Sequence, residues 1–370
     1  MKIAYFIRNI GVSGGVKVIL QHVMMLKEEG YDVTLFTQHV KDSWDLQEKP
    51  VIIQPDNLKA LSDFNIIVAS VYNDVKKLFI NGAHKLVHLC QGYEPIDYLS
   101  RIAGESMGER YQRKGFFSTL ERRLDLVKFK KRIRQIEEVY ALPTYKAAVS
   151  KHLVALLEGK YGQRCALIQN GIDLNTFRPN QQRKWGENGK IRVLSVGSAN
   201  MGSKGIADTL DAIKLLKEKG VDVELIRVSP DLPSRREKES GLVHSYRTGL
   251  KEKEMAELYR ETDVFISSSL EGEGFGLPAV EALASGVPSI LTEVSAYKNF
   301  YMDSSFAYFV QTHSPAKIAQ GVEKFIHDIE FRNQCVKKGL RVAAEFSLER
   351  TKKDLIRFVE GLYWGEIIHP

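Results

Sequence analysis

Apolar residues in this chain come in two formats that alternate: short unbroken runs, and longer stretches in which they recur every three or four positions. Residues 2–7 are a run of the first kind. Residues 16–29 show the helical spacing (Val16, Ile19, Leu20, Val23, Met24), end at Gly30, and lead into a second run at 32–37. Strand, helix, strand in this order predicts a β-α-β unit and hence a parallel sheet. Further runs at 66–71 and 85–89 read as strands. The stretch 139–149 is expected to carry the last strand of the first half, followed by a helix at about 151–161. The pattern then restarts with strands at 191–196 and 223–228 around a helix at 206–219. A helix ending at Leu258-Tyr259-Arg260 precedes a strand at 263–269, and another strand is expected at 289–293. Helices at 315–329, 331–345 and 348–362 close the chain. Asn170-Gly171 is a turn signal, and the hinge between two α/β domains is expected at about 169–190.

The run at 263–269 feeds the segment Glu271-Gly-Glu-Gly-Phe-Gly-Leu-Pro-Ala-Val-Glu281. Gly272, Gly274 and Gly276 let the backbone turn sharply and approach a ligand, and Pro278 suits the first helical position because it has no N–H to leave unpaired. The N–H groups of Gly276 and Leu277 then stand at the positive end of a helix, where phosphate binds readily. Glu273 and Glu281 bracket that anion site. Helical side chains lean toward the N-terminus, so Glu281, expected in the first helical turn, points back to the loop that carries Glu273. Carboxylates repel a bound phosphate unless they accept hydrogen bonds from hydroxyls. The pattern therefore fits a ligand with both phosphates and sugar hydroxyls, a nucleotide sugar. Taken singly, a Glu in an N-terminal turn and a solvated loop Glu need no ligand.

Glu273 and Glu281 inside Glu-Gly-Phe-Gly-Leu-Pro-Ala-Val-Glu-Ala-Leu-Ala-Ser-Gly-Val-Pro resemble the signature of retaining glycosyltransferases of the GT-B fold, family 4. The resemblance implies two Rossmann-like domains facing across a central cleft: an acceptor-side domain at 1–170, a donor-binding domain at 171–347, and a C-terminal helix at about 348–370 that packs back on the first. It implies that Glu273 contacts the donor sugar, Glu281 the ribose, and the backbone of Gly274, Phe275, Gly276 and Leu277 the diphosphate. Gly14 and Gly15, after the first strand, would lie near the donor phosphates or the acceptor. The strand and loop ending Ser198-Ala-Asn-Met-Gly-Ser-Lys204-Gly205 resemble the family's donor-phosphate loop, with Lys204 as its cation. Ser198 stands where members carry an Arg; Arg192 and Arg227 lie in neighbouring strands. Many members carry an active-site His where this chain has Gln91, with His88 three residues earlier. Glu273, Lys204 and Gln91 are thus the expected catalytic set, and the implied reaction is transfer of a sugar to a hydroxyl of a glycan or lipid-linked acceptor. The Gln91-Gly-Tyr-Glu94-Pro95 run is similar to members that build surface polysaccharides. The same fold also leaves open a non-catalytic nucleotide-sugar or glycan-binding subunit, and a sugar phosphorylase or epimerase.

Composition changes this picture little. Cys90, Cys165 and Cys335 are scattered, without C-x-x-C spacing, and read as reduced thiols of a cytoplasmic protein. No D-x-D motif is present, so no metal and no cofactor is expected beyond the nucleotide sugar as co-substrate. No apolar run reaches transmembrane length. The formal charge of +7 favours anionic partners, and it is concentrated at 110–134, where ten Lys and Arg are interleaved with Phe116, Phe117, Leu120, Leu124, Val127 and Phe129. Such a helix can lie on an anionic membrane, placing the protein at the inner membrane face, or dock on its own domain with the charges solvated. No nucleic-acid motif accompanies it.

Overall fold

The computed structural model describes residues 1–40, 49–54, 57–103, 116–180, 182, 184–186, 189–300 and 303–367, with backbone alone at 59, 103 and 116–123. It divides into two compact units, the first comprising Met1–Tyr98, Leu126–Gly171 and Leu348–Pro370, the second Leu99–Asp125 and Ile172–Ser347.

The first unit is built on seven strands: β1 Lys2–Ile10, β2 Asp32–Val40, β3 Val51–Ile52, β4 Ile66–Ala69, β5 Leu86–Cys90, β6 Tyr145–Ala148 and β7 Cys165–Leu167. They lie in the order β3-β2-β1-β4-β5-β6-β7, every pairing parallel. β1 is an interior strand, and Ile3 to Ile7 are all buried because helices cover both faces of a parallel sheet, which is why it reads as an unbroken apolar run. The strand expected at 139–149 is shorter and is not the last of the first unit: the helix Phe116–Tyr140 still occupies its start, Pro143 separates the two, and the edge strand β7 follows it. The helix Leu348–Trp364 packs on this unit. Thr351 donates to Gln169 O at 2.8 Å, and Lys85 donates to Leu362 O (2.7 Å) and Tyr363 O (3.0 Å), a cation on the negative end of the helix.

The second unit repeats the scheme with β8 Ile191–Val196, β9 Val223–Val228, β10 Val243–Arg247, β11 Val264–Ser267, β12 Ser289–Thr292 and β13 Tyr308–Val310, ordered β10-β9-β8-β11-β12-β13, again all parallel. One face is filled by Val193, Leu225, Val264 and Ile290, with Val322 packed among them, and the other carries the buried Leu194, Ile226, Phe265 and Leu291. Strand order reverses between the neighbours β8 and β11. That reversal opens a crevice beyond their C-terminal ends, where open α/β sheets take ligands. The loops that leave β8 and β11 are the ones carrying Lys204 and Glu273.

Candidate functional site

From β8 the chain passes Gly197, at φ +140, and reaches a single 3-10 turn, Gly202–Lys204. Gly205 then adopts φ +57 and opens the helix Ile206–Glu218. From β11 it passes Ser268 and Ser269 into the glycine loop. The two loops are tied together by backbone and side chain: Leu270 N–H donates to Ser203 O at 2.7 Å, and Ser268 Oγ donates to Gly205 O at 2.7 Å. Across this seam Lys204 Nζ lies 2.6 Å from Glu273 Oε2, with the carboxylate side chain 9% exposed. Burial alone would raise the Glu273 pKa. The adjacent Lys204 charge, its hydrogen bond, and those from Ser269 and the Gly274 N–H outweigh it, so Glu273 sits below the usual carboxylate range and is ionised.

Gly276 takes φ +92 and caps the helix Leu277–Ala284. A Cβ there would meet Tyr297 Cε1 at 2.3 Å, so the position admits glycine alone. This cap starts the helix one residue earlier than expected. Leu277 is its first residue and Pro278 its second, which moves Glu281 from the first turn to the start of the second. The first intrahelical donors, Ala279 and Val280, reach Gly276 O, so the Gly276 and Leu277 N–H groups precede them at the helix head. Glu281 is buried, and the Tyr259 hydroxyl lies 3.1 Å from its Oε2 and 3.0 Å from Pro278 O. Phe275 is buried, and its ring packs on Phe300 and Phe346.

The other cations named from sequence do not reach this seam. Arg227 is fully buried beneath the β8 loop. Its guanidinium pairs with Glu237 at 3.0 Å and donates to the carbonyls of Ser195 and Gly197. It props the loop from below. Arg192 lies at the opposite, N-terminal end of β8, where its N–H donates to Asp263. Ser198 is buried and donates to Asp231 Oδ2, while its oxygen accepts from Asn200 N–H at 3.0 Å. A carboxylate, not a cation, therefore stands beside the first glycine of the loop.

In the first unit, Ser13 caps the helix Gly14–Glu28 by accepting from Val16 N–H, so Gly14 and Gly15 are its first residues, not a preceding loop. Gln91, just past β5, donates to Gly15 O at 3.1 Å. His88 does not join them. It is fully buried in β5, its ring 4.7 Å from Tyr140, and burial with the Lys146 charge lowers its pKa to about 3, so it is a neutral core residue. Sequence reading missed an acidic group at the same strand ends. Arg8, on β1, pairs with buried Asp74, and burial raises the nearby Glu94 to about 7. Of the basic segment 110–134, residues 110–115 lie outside the described residues. Leu124 and Val127 are 54% and 67% exposed beside exposed Lys128, Lys131 and Arg134, whereas Phe129 turns inward onto Tyr98.

Residues 177–342 match the family Glycosyl transferases group 1. The chain carries a glycosyl transferases group 1 domain. The glycine loop, Lys204, Glu273 and Glu281 all fall inside the matched region. Among curated relatives, the MMP alpha-(1->4)-mannosyltransferase of Mycolicibacterium hassiacum is 32% identical over 136 residues, 35% of this chain and 31% of that one. The phosphatidyl-myo-inositol mannosyltransferase of Mycobacterium leprae is 24% identical over 202 residues, 54% of each chain. The D-inositol 3-phosphate glycosyltransferase of Paenarthrobacter aurescens is 26% identical over 196 residues, 49% and 48%. The chain thus spans about half, or less, of the length of these relatives. Among solved structures, the sucrose-phosphate synthase of Thermosynechococcus elongatus covers 98% of this chain and 99% of its own at 15% identity and a TM-score of 0.72. Anabaena HepE in complex with UDP-glucose covers 98% and 100% at 14% identity, also with a TM-score of 0.72. At such identities the likeness establishes the fold, which is GT-B: two Rossmann-like parallel-sheet domains.

Proposed function

We propose that this chain is a retaining, family 4 glycosyltransferase that moves a sugar from a nucleoside-diphosphate sugar to a hydroxyl of a glycan or lipid-linked acceptor. We assign it to cell-surface polysaccharide or glycoconjugate synthesis on the cytoplasmic side. The observation that carries the reading is the Lys204–Glu273 pair, set across two adjacent strand ends at the head of a helix. Departure of a nucleoside diphosphate builds negative charge on phosphate. The Lys204 ammonium and the Gly276 and Leu277 N–H groups offer preorganised positive charge for it, in a partly buried setting where such charge counts for more than in water. Glu273, ionised and held by its donors, is suited to accept from sugar hydroxyls, and Glu281, oriented by Tyr259, from ribose hydroxyls. Retention would follow from attack on the face the diphosphate leaves, assisted by the leaving phosphate. In this reading the carboxylate pair serves binding and orientation, unlike the acid and nucleophile of a glycosidase. The acceptor is read by the first unit, where Gln91 and Gly15 meet. No cofactor is called for beyond the donor. The names of the relatives, mannosyl- and inositol-phosphate glycosyltransferases, and the UDP-glucose complex of HepE support the donor class.

A thermal-shift screen against UDP-, GDP-, dTDP- and ADP-sugars and the free nucleotides tests this. A donor at a hundredfold excess over its Kd stabilises the native state by about 2.7 kcal/mol, so one nucleotide class is expected to raise Tm clearly. No shift with any of them would overturn the donor-site assignment. Ser198 with Asp231, in place of a cation, favours one alternative, a non-catalytic nucleotide-sugar-binding subunit. That reading predicts a shift without turnover on any acceptor.

We also infer peripheral attachment to anionic membranes through the helix Phe116–Tyr140, because Leu124 and Val127 face solvent amid lysines. No described helix is long and apolar enough to cross a membrane. Co-sedimentation with anionic vesicles at low salt, released at high salt, is expected; absence of low-salt binding would refute it.

A further inference from the structure

We propose that Tyr297 is a positioning residue, which orients Glu273 through Ser269 and so governs the transfer step without touching the donor. The proposal rests on the reading of Glu273 as a donor-site group. Tyr297 lies in the short helix Ser295–Lys298 after β12 and is fully buried. Its hydroxyl is 2.6 Å from Ser267 Oγ and 3.1 Å from Ser269 Oγ. Ser269 Oγ is in turn 3.0 Å from Glu273 Oε2, the oxygen that also receives Lys204 Nζ.

An ionised carboxylate only accepts, and this fixes the direction of the chain where it meets Glu273. Ser269 donates to Glu273, so toward Tyr297 and Ser267, 3.1 and 3.2 Å away, its oxygen only accepts. Four side chains thus form one hydrogen-bonded cluster that ends on the carboxylate. The same residue holds the other end of the glycine loop, for its ring fills the space that a Cβ on Gly276 would need. The loop returns the contact: the Glu271 carboxylate oxygens lie 3.3 and 3.2 Å from Ser295 N–H at the start of the Tyr297 helix. Thr292 anchors the Ser269 carbonyl from β12. Tyr297 therefore couples the sugar-facing carboxylate to the phosphate-facing helix head, in a position the sequence does not mark.

Tyr297→Phe keeps the ring against Gly276 and removes the hydroxyl alone. With UDP-glucose and GDP-mannose as donor probes, kcat for nucleotide release is expected to fall about tenfold, as expected for a misplaced reacting group. The Kd for free UDP or GDP should stay within about twofold, because the helix head and Lys204, which hold the diphosphate, are unaltered. Ser269→Ala is expected to match it, and the double variant to be no worse than Ser269→Ala, since both act on one carboxylate. Wild-type kcat in Tyr297→Phe, a lowered Tm with unchanged kcat, or additive losses in the double variant would overturn the proposal. Glu273→Ala in the same assay separates the two levels. If it too turns over normally, the donor-site reading fails; if it is inactive while Tyr297→Phe is normal, the relay alone fails.

Discussion

Lys204→Ala should lose both turnover and stability, and adding Glu273→Gln should return the stability alone. Without the ammonium, Glu273 keeps only uncharged donors, Ser269, the Gly274 N–H and the Tyr297 hydroxyl, at a site where its side chain is 9% exposed. Removing one partner of a buried pair costs about 3 kcal/mol, because the remaining charge stays desolvated. For a unit of this size that corresponds to a fall in Tm of about 6–12 °C. The loss should depend on pH with a definite sign. In the wild type Glu273 is depressed below the ordinary carboxylate range, so its contribution is complete above the unfolded pKa and is lost as pH falls through the lower folded value. In Lys204→Ala burial is the remaining large influence, and the folded pKa moves above the unfolded one. The deficit relative to wild type is therefore largest near neutrality and shrinks as acid protonates the carboxylate. Glu273→Gln on the Lys204→Ala background removes the charge and should recover most of the melting temperature. Turnover should remain at least tenfold down in both, about 1.4 kcal/mol or more of transition-state stabilisation, because neither variant restores a cation for the leaving diphosphate. Thermal melts across pH together with steady-state rates check this. Wild-type turnover in Lys204→Ala would sink the assignment, and a pH-independent deficit would sink its electrostatic account.

The β-α-β framework was legible because parallel strands buried on both faces read as apolar runs; β1, β4 and β11 do so nearly without a break, and β8 and β9 stay apolar around Arg192 and Ser195 and around Glu224 and Arg227. β10 and β13 were not legible. Both are edge strands, and β10, Val243-His-Ser-Tyr-Arg247, is half-exposed and polar along its length. At the site, the glycine loop announces a sharp turn and a helix head through residue types alone. The contact between Lys204 and Glu273 joins residues from different strand ends, and no local pattern carries it; what placed them together was the strand order reversing between β8 and β11. Arg227 shows the opposite limit. An arginine in a strand next to a phosphate loop suggests a ligand cation, yet its partner Glu237 comes from the helix Arg235–Glu239, whose inward face is apparent only once packed. His88 and Gln91 differ in the same way: β5 is buried at every position, which makes His88 a core residue, whereas Gln91, one residue past the end of the strand, is half-buried and reaches Gly15 O.

Gly205→Ala is expected to be a severe single-methyl change in the second unit, and three glycines together show why. Gly220 has φ +79 with nothing within 4 Å of an added Cβ, so alanine there meets only the left-handed backbone penalty, about 1 kcal/mol. Gly197, at φ +140, would press a Cβ to 3.1 Å from Lys204 Cγ and Cδ, a flexible stem that can shift at some loss of ammonium placement. At Gly205, φ +57, the Cβ would lie 1.9 Å from Ser268 O and 2.9 Å from Ser268 C. These are backbone atoms just past β11 and cannot swing aside, so the 3-10 turn must separate from the strand end. That separation breaks the Ser268 Oγ bond to Gly205 O and carries Lys204 away from Glu273. Melting temperature should therefore fall in the order Gly220→Ala, Gly197→Ala, Gly205→Ala, from least affected to most. The nucleotide-induced thermal shift should persist in the first, weaken in the second and vanish in the third. A Gly205→Ala protein that melts and binds nucleotide like Gly220→Ala would show that the two loops do not pack backbone to backbone at this seam, and the donor site would have to be sought elsewhere.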